Sequence, residues 1–375
     1  MNNELGRRHW LKQTVMAAAG LGLSTQIFGR HSGCAEDELP FNNSTNSPIR
    51  IGSNENPYGP SALAKAAMMQ AVAKSNRYPW ETTTLLRKKL GEAYGLSAEH
   101  VLMGAGSSEL LGVISAFAGR QNGNAIAAYP TFKLWFTAAE HFGLTVKTVP
   151  LTTTKVHDLP AMLSAMDGKT RMVYVVNPHN PTGTVVAKAA LESFVQEASK
   201  TAVVLLDEAY TEYSDEPSLA YLVANNKNVI VAKTFSKIHA MAGARIGYAL
   251  AHPDTITQLA DWQPWSNAGA GAVALAGAMA SMDDVDFQRS CRQKNDAVKT
   301  FVTEALTQLG MQVIPSHTSF LYYNTGTYSA DVAAITSAAG IVGVRTYEKD
   351  TPWRRTSIGT MDEMKTFIDV LKRGV

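Results

Sequence analysis

Lys237 follows closely on a β-branched run, residues 229–232, with Thr234 and Ser236 beside it and Arg245 eight residues on. Upstream, the apolar run 203–206 ends in Asp207, and Tyr210 follows three residues later. A lysine amine can form an imine with an aldehyde, and a buried acid can hold a proton on a pyridine nitrogen. Hydroxyls with an arginine can hold a phosphate. Pyridoxal 5′-phosphate asks for all three, being an aldehyde, an electron-sink ring and a phosphoester at once.

Two further stretches bear on the same chemistry. GAGSSE, 104–109, follows a strand pattern and opens a helical one, so Gly106 and Ser107 offer a close backbone approach and a helix N-terminus to an anion. Alone, the stretch reads more readily as an ordinary strand-to-helix turn; it gains weight because Lys237 and Arg245 independently call for a phosphate. In NPHNPTG, 177–183, prolines and Gly183 fix a sharp turn that frees the Asn180 amide for a ligand or for the turn itself. Asp207 could likewise cap the segment that follows it. A buried acid at a strand end is rarer without a cationic partner, and a pyridinium would be one.

These residues need a scaffold. Short β-branched runs at 101–103, 125–129, 145–149, 172–176, 203–206, 229–232 and 246–251 alternate with helix-length segments such as 107–118 and 188–199. Alternation of this kind predicts an α/β fold, a mostly parallel sheet flanked by helices, with ligands outside the carboxyl ends of its strands. The Gly- and Ala-rich stretch 267–279 reads as close helix packing. Residues 49–282 are expected to form an N-terminal segment and a large domain, and 283–375 a smaller α/β domain.

At 375 residues, with 45% hydrophobic content and a net charge of +2, the chain has ample material for a core and no basic block for nucleic acid. Cys34 and Cys291 are its two cysteines, too few for a disulfide framework. Residues 1–35 carry Arg7, Arg8, Lys12 and Arg30 against Glu4, a local excess larger than the whole net charge. A paired arginine, a moderately apolar run and small Gly33 and Ala35 resemble a twin-arginine export signal cleaved after Ala35. Residues 36–48 then form a polar linker, and the expected location is the periplasm, reached by the twin-arginine machinery. The apolar run is too short for a stable membrane span.

In sequence order the chain carries NENPYGP (54–60), RYP (77–79), GAGSSE (104–109), YPTF (129–132), NPTG (180–183), DEAY (207–210), TFSK (234–237), RIGY (245–248) and RTSIG (355–359). With this set it resembles the fold-type I pyridoxal-phosphate enzymes of the class I/II aminotransferases, in particular the histidinol-phosphate aminotransferase branch. The resemblance implies an amino donor, a 2-oxo acid acceptor and a homodimer. It further implies that Lys237 holds the cofactor as a Schiff base and moves the proton, and that Asp207 pairs with the pyridine nitrogen. Asn180 and Tyr210 would bond the ring oxygen, and Phe132 would stack on the ring. Gly106, Ser107, Thr234, Ser236 and Arg245 would hold the phosphate, which Tyr78 would also reach from the neighbouring subunit. Arg355 would grip the substrate carboxylate, and Tyr58 would sit over its side chain. Ser319, Ala240 and Met241 depart from the family pattern near the substrate pocket. A racemase, C–S lyase or cyclase outcome stays open on the same chemistry, as does a non-catalytic cofactor-binding protein. A nicotinamide dehydrogenase is disfavoured, because no acidic residue is suitably placed after a GxGxxG turn.

Overall fold

The seven β-branched runs pair into one sheet in a computed structural model that describes residues 47–374. The expected export signal, Cys34 and nearly all of the linker lie outside the described residues. The strands are β2 (Val101–Gly104), β3 (Gly123–Tyr129), β4 (Leu144–Pro150), β5 (Thr170–Val176), β6 (Val203–Asp207), β7 (Val229–Thr234) and β8 (Gly247–Ala251). Their spatial order is β2-β8-β7-β6-β5-β3-β4. Only β8 runs against its neighbours, pairing antiparallel with β2 and β7.

The inner strands are hydrophobic on both sides because helices cover both faces, whereas the edge strand β4 is buried only at Leu144 and Val149. Side chains alternate accordingly: Val173, Val175, Val204 and Leu206 enter one core. Met172, Tyr174, Val176 and Leu205 enter the other. Helix Ser107–Gly119 is almost wholly buried. The Gly- and Ala-rich stretch does pack closely: a Cβ on Gly277, in helix Ala272–Asp283, would come within 2.7–2.8 Å of Met68 and Met241.

A second sheet lies in the C-terminal part, in the order β12 (Trp353–Ser357), β10 (Phe320–Asn324), β9 (Gln312–Ile314), all antiparallel. Val298, Val302 and Leu306 of helix Val285–Gln308 and Phe367, Ile368 and Leu371 of helix Met361–Arg373 pack with Leu321 and Tyr323 into its core. Residues 49–51 differ from the expected grouping. β1 (Ile49–Arg50) pairs in parallel with β11 (Ile341–Val342), and Ile51 is buried in this second core. The N-terminal segment thus crosses from the small core to the large sheet, carrying residues 52–55 past the carboxyl ends of its strands. Among the described residues no helix is long and apolar enough to cross a membrane.

Candidate active site

Parallel register sets the geometry. Val176 is paired with Asp207, and Asp207 with Ala232, so three strand ends open side by side. From β7 the chain turns through Ser236 to Lys237, whose Nζ donates to the carbonyls of Asn54 at 3.1 Å and Ser53 at 3.3 Å. Burial and the Arg355 guanidinium bring the Lys237 amine down to about 8, against the opposing pull of Asp207.

Asp207 is 4% exposed. Its Oδ2 accepts from the Tyr174 hydroxyl at 2.8 Å and its Oδ1 from the Ala209 N–H at 3.2 Å. Tyr174 is itself held by stacking on Trp135, with ring centroids 4.1 Å apart. Burial nevertheless raises the Asp207 carboxyl above its usual range, outweighing both donors and Lys237. A carboxylate in that state gains from any cation brought against it. The turn after Asp207 is fixed from beneath by Lys233, 3% exposed, whose Nζ lies 3.1 Å from Glu212 and 3.4 Å from Glu208.

An anion cradle closes one end. Gly106, at φ +81°, leads into helix Ser107–Gly119 with no side-chain cap, so the first helical N–H groups stay open. A Cβ at Gly106 would collide with the Arg245 guanidinium, and one at Gly247 would lie 2.5 Å from the Ser107 nitrogen. Glycine is required at 106 by its left-handed φ and at 247 by the close approach of backbone. Arg245 adopts a left-handed backbone (φ +53°) and donates to the Ala242 carbonyl at 3.0 Å. Thr234 Oγ1 donates to Ser236 Oγ at 2.9 Å and accepts from the Ser236 N–H at 3.1 Å.

At the other end Arg355, from β12, is 3% exposed. It donates to Asn180 Oδ1 at 2.8 Å and to the Gly52 carbonyl at 2.7 Å, leaving its Nε without a partner. Phe320 and Tyr347 flank its guanidinium, with ring centroids at 5.2 and 4.8 Å. Tyr210 accepts from Asn54 Nδ2 at 2.8 Å, and burial pushes its phenol well up. Ser357 in turn bonds both the Asn54 backbone N–H and side chain at 2.8 Å.

A cavity of about 910 Å³ joins these groups. Its walls include Ser107, Phe132, Asn180, Asp207, Tyr210, Thr234, Ser236, Lys237, Arg245 and Arg355. Three of the expected residues are not on its walls: Tyr78, Tyr58 and Gly106, which lies just behind Ser107. Tyr78 is 70% exposed and stacks on Trp80 at 5.2 Å. Tyr58 faces a separate small pocket beside Tyr213 and Cys291. Sequence reasoning in turn missed Tyr174, Arg345 and Tyr347. Tyr174 sits in a uniformly apolar-looking strand, where its phenol was the available signal. The residues present fit pyridoxal 5′-phosphate: an amine of lowered basicity, a buried acid lacking a cation, and an anion cradle that glycine alone permits.

Residues 46–371 match the family described as aminotransferase class I and II. The chain is 33% identical over 331 residues to the histidinol-phosphate aminotransferase of Moorella thermoacetica, covering 86% of this chain and 84% of that one. Identity to the enzyme of the same name from Brevibacillus brevis is 34% over 330 residues, with 86% and 89% covered. Among solved structures, histidinol-phosphate aminotransferase from Sinorhizobium meliloti in complex with pyridoxal-5′-phosphate superposes with a TM-score of 0.80 at 26% identity, covering 87% of this chain and 91% of that one.

Proposed function

The chain belongs to the class I and II aminotransferases, and from that premise we propose that it takes its amino group from an α-amino acid held at the carboxylate by Arg355, outside the cytoplasm. Pyridoxal 5′-phosphate is its cofactor and amino-group transfer its reaction. The observation that carries the reading is the placing of Lys237, its amine near pKa 8, in one cavity with Asp207, the anion cradle and Arg355.

When bound, the cofactor supplies an electron sink for the substrate's Cα. Asp207 would hold the proton on its ring nitrogen, and Asn180 and Tyr210 would bond the ring oxygen. Ser107, Thr234, Ser236 and Arg245, with the backbone at Gly106, would bind the phosphate; Phe132 would cover the ring. Lys237 takes the proton from the substrate Cα, which its lowered basicity permits near neutral pH. Arg355 orients the donor through its carboxylate, and its buried, flanked guanidinium suits a paired anion. Turnover that requires an added 2-oxo acid separates transamination from the racemase, lyase and cyclase outcomes.

The N-terminal sequence bears on the substrate. A twin-arginine route carries folded proteins, which suits an enzyme that acquires its cofactor before export. The relatives are named for histidinol phosphate, a biosynthetic intermediate that an exported enzyme would seldom meet. The donor is instead a periplasmic amino acid or derivative. Replacing Arg7 and Arg8 with lysines should retain cofactor-loaded protein in the cytoplasm, as cell fractionation would reveal. Unchanged periplasmic delivery, or a kinetic preference for histidinol phosphate over every other donor tested, refutes the proposal.

A homodimer completes it. Tyr78, Trp80 and Trp265 form a surface cluster of three rings, 70%, 43% and 57% exposed, with centroids 4.9–5.4 Å apart. Exposed aromatic clusters of this kind mark interaction surfaces, and this one supports Tyr78 reaching a partner's phosphate site. Mixing Tyr78→Phe and Lys237→Ala subunits, each strongly impaired alone, should restore part of the activity in heterodimers. Sedimentation as a strict monomer at micromolar concentration counts decisively against it.

A further inference from the structure

We infer that the Lys155–Glu348 ion pair is a positioning device for Arg355, tying together the two loops that hold its guanidinium, so that the pair governs how tightly a carboxylate-bearing donor is bound. The inference rests on the reading of Arg355 given above. Neither Lys155 nor Glu348 lines the cavity, so their influence must pass through other residues.

The guanidinium is gripped from two sides. Asn180, in the loop after β5, accepts from Nη1 at 2.8 Å. Tyr347, in the segment before β12, lays its ring 4.8 Å from the guanidinium carbon. That segment is itself bound to β12, because Arg345 and Arg355 exchange backbone hydrogen bonds of 2.9 and 2.8 Å. Adjacent to Tyr347, Glu348 receives Lys155 Nζ at 2.9 Å and the Tyr322 hydroxyl at 2.5 Å on the same oxygen. Tyr322 stacks on Trp353, two residues from Arg355, with centroids 5.0 Å apart, and Lys155 Nζ lies 4.6 Å from the Trp353 ring.

The chain of bonds continues from Lys155 to the opposite loop. Lys155 sits at φ +64° in a tight turn, where its N–H donates to Thr152. Its carbonyl accepts from Thr184 Oγ1 at 2.8 Å. Thr184 bonds Thr182, and Thr182 bonds His179 Nδ1, each at 2.8 Å. His179 directly precedes Asn180. The side chain of Lys155 therefore holds the Tyr347 side of Arg355 while its carbonyl holds the Asn180 side. With side chains 15% and 19% exposed, the pair is shielded enough that losing one partner strands the other charge.

Binding to the holoenzyme tests this with a matched pair of probes. 2-Methylalanine has a carboxylate and no Cα proton to lose; isopropylamine has the same carbon skeleton without the carboxylate. Absorbance titration gives a dissociation constant for each. Lys155→Met and Glu348→Gln should each weaken 2-methylalanine by about tenfold and leave isopropylamine within about twofold. The double variant should lose no more than the worse single one, because the two residues act as one unit. Glu348→Gln keeps volume, so it carries the test should Lys155→Met fail to fold, with thermal melting as the check. Unchanged 2-methylalanine binding, or equal weakening of both probes, overturns the inference while Arg355 keeps its role. Arg355→Lys that leaves 2-methylalanine binding unchanged overturns the reading of Arg355 and the inference together.

Discussion

Lys237→Ala should reduce turnover on the order of 10⁵-fold, roughly 7 kcal/mol of transition-state stabilisation. The size of the loss follows from the lack of a substitute. Lys133 also reaches the cavity wall, but it is exposed in the first turn of helix Lys133–His141. Lys233 is buried and engaged by Glu208 and Glu212. Neither faces Asp207 across the strand ends. Borohydride reduction of the wild-type protein should leave a stable adduct on the peptide holding Lys237, and an adduct on any other lysine defeats the assignment. The pH dependence has a definite sign. Burial and Arg355 disfavour the charged amine, so the neutral form emerges as pH rises through about 8. At pH 7 roughly a tenth of Lys237 is neutral, against fewer than about one in a thousand for an ordinary lysine. Cofactor capture by the apo-protein, followed by absorbance, should therefore quicken with pH up to about 8 and level off above it.

The sequence carried the large sheet well because its strands are continuous β-branched runs between helical segments. Run 203–206 became β6 and run 229–232 became β7, each extended by one or two residues toward the ligand. Lys237, Asp207 and Arg245 were legible for a related reason: they lie at fixed offsets from those runs, so local spacing already places them. What failed to show was long-range. Tyr174 meets Asp207 across 33 residues, and Lys155 meets Glu348 across 193. Spacing along the chain cannot specify such partners; pairing of β5 with β6 creates the first. The same holds for residues 49–51, whose core partners come from the far end of the chain. Tyr58 lies in a local and distinct motif, and within one subunit its ring packs toward Cys291, with Lys294 Nζ 4.9 Å from the ring centroid.

Asp207→Asn is expected to keep the fold and to lose about 3 kcal/mol or more of transition-state stabilisation, over a hundredfold in kcat/KM. The amide retains a carbonyl oxygen for Tyr174 or for the Ala209 N–H, so packing around β6 is largely preserved. What disappears is the negative charge. In the wild-type site that charge is held under strain: burial raises the carboxyl, and Tyr174, Ala209 and Lys237 only partly compensate. A ring-nitrogen cation against Asp207 would relieve the strain, and the same interaction would keep the ring nitrogen protonated. A neutral amide could not hold that proton, and the electron sink would be weakened. Cofactor affinity should fall together with activity, because the pairing would precede the arrival of substrate. A loss below about tenfold, roughly 1.4 kcal/mol, would rule out an electrostatic role for Asp207 and leave it a residue that fixes the turn through the Ala209 N–H. Tyr174→Phe separates the two contributions. It removes one donor to the carboxylate while sparing the charge, so it should raise the Asp207 carboxyl further yet cost far less activity than Asp207→Asn.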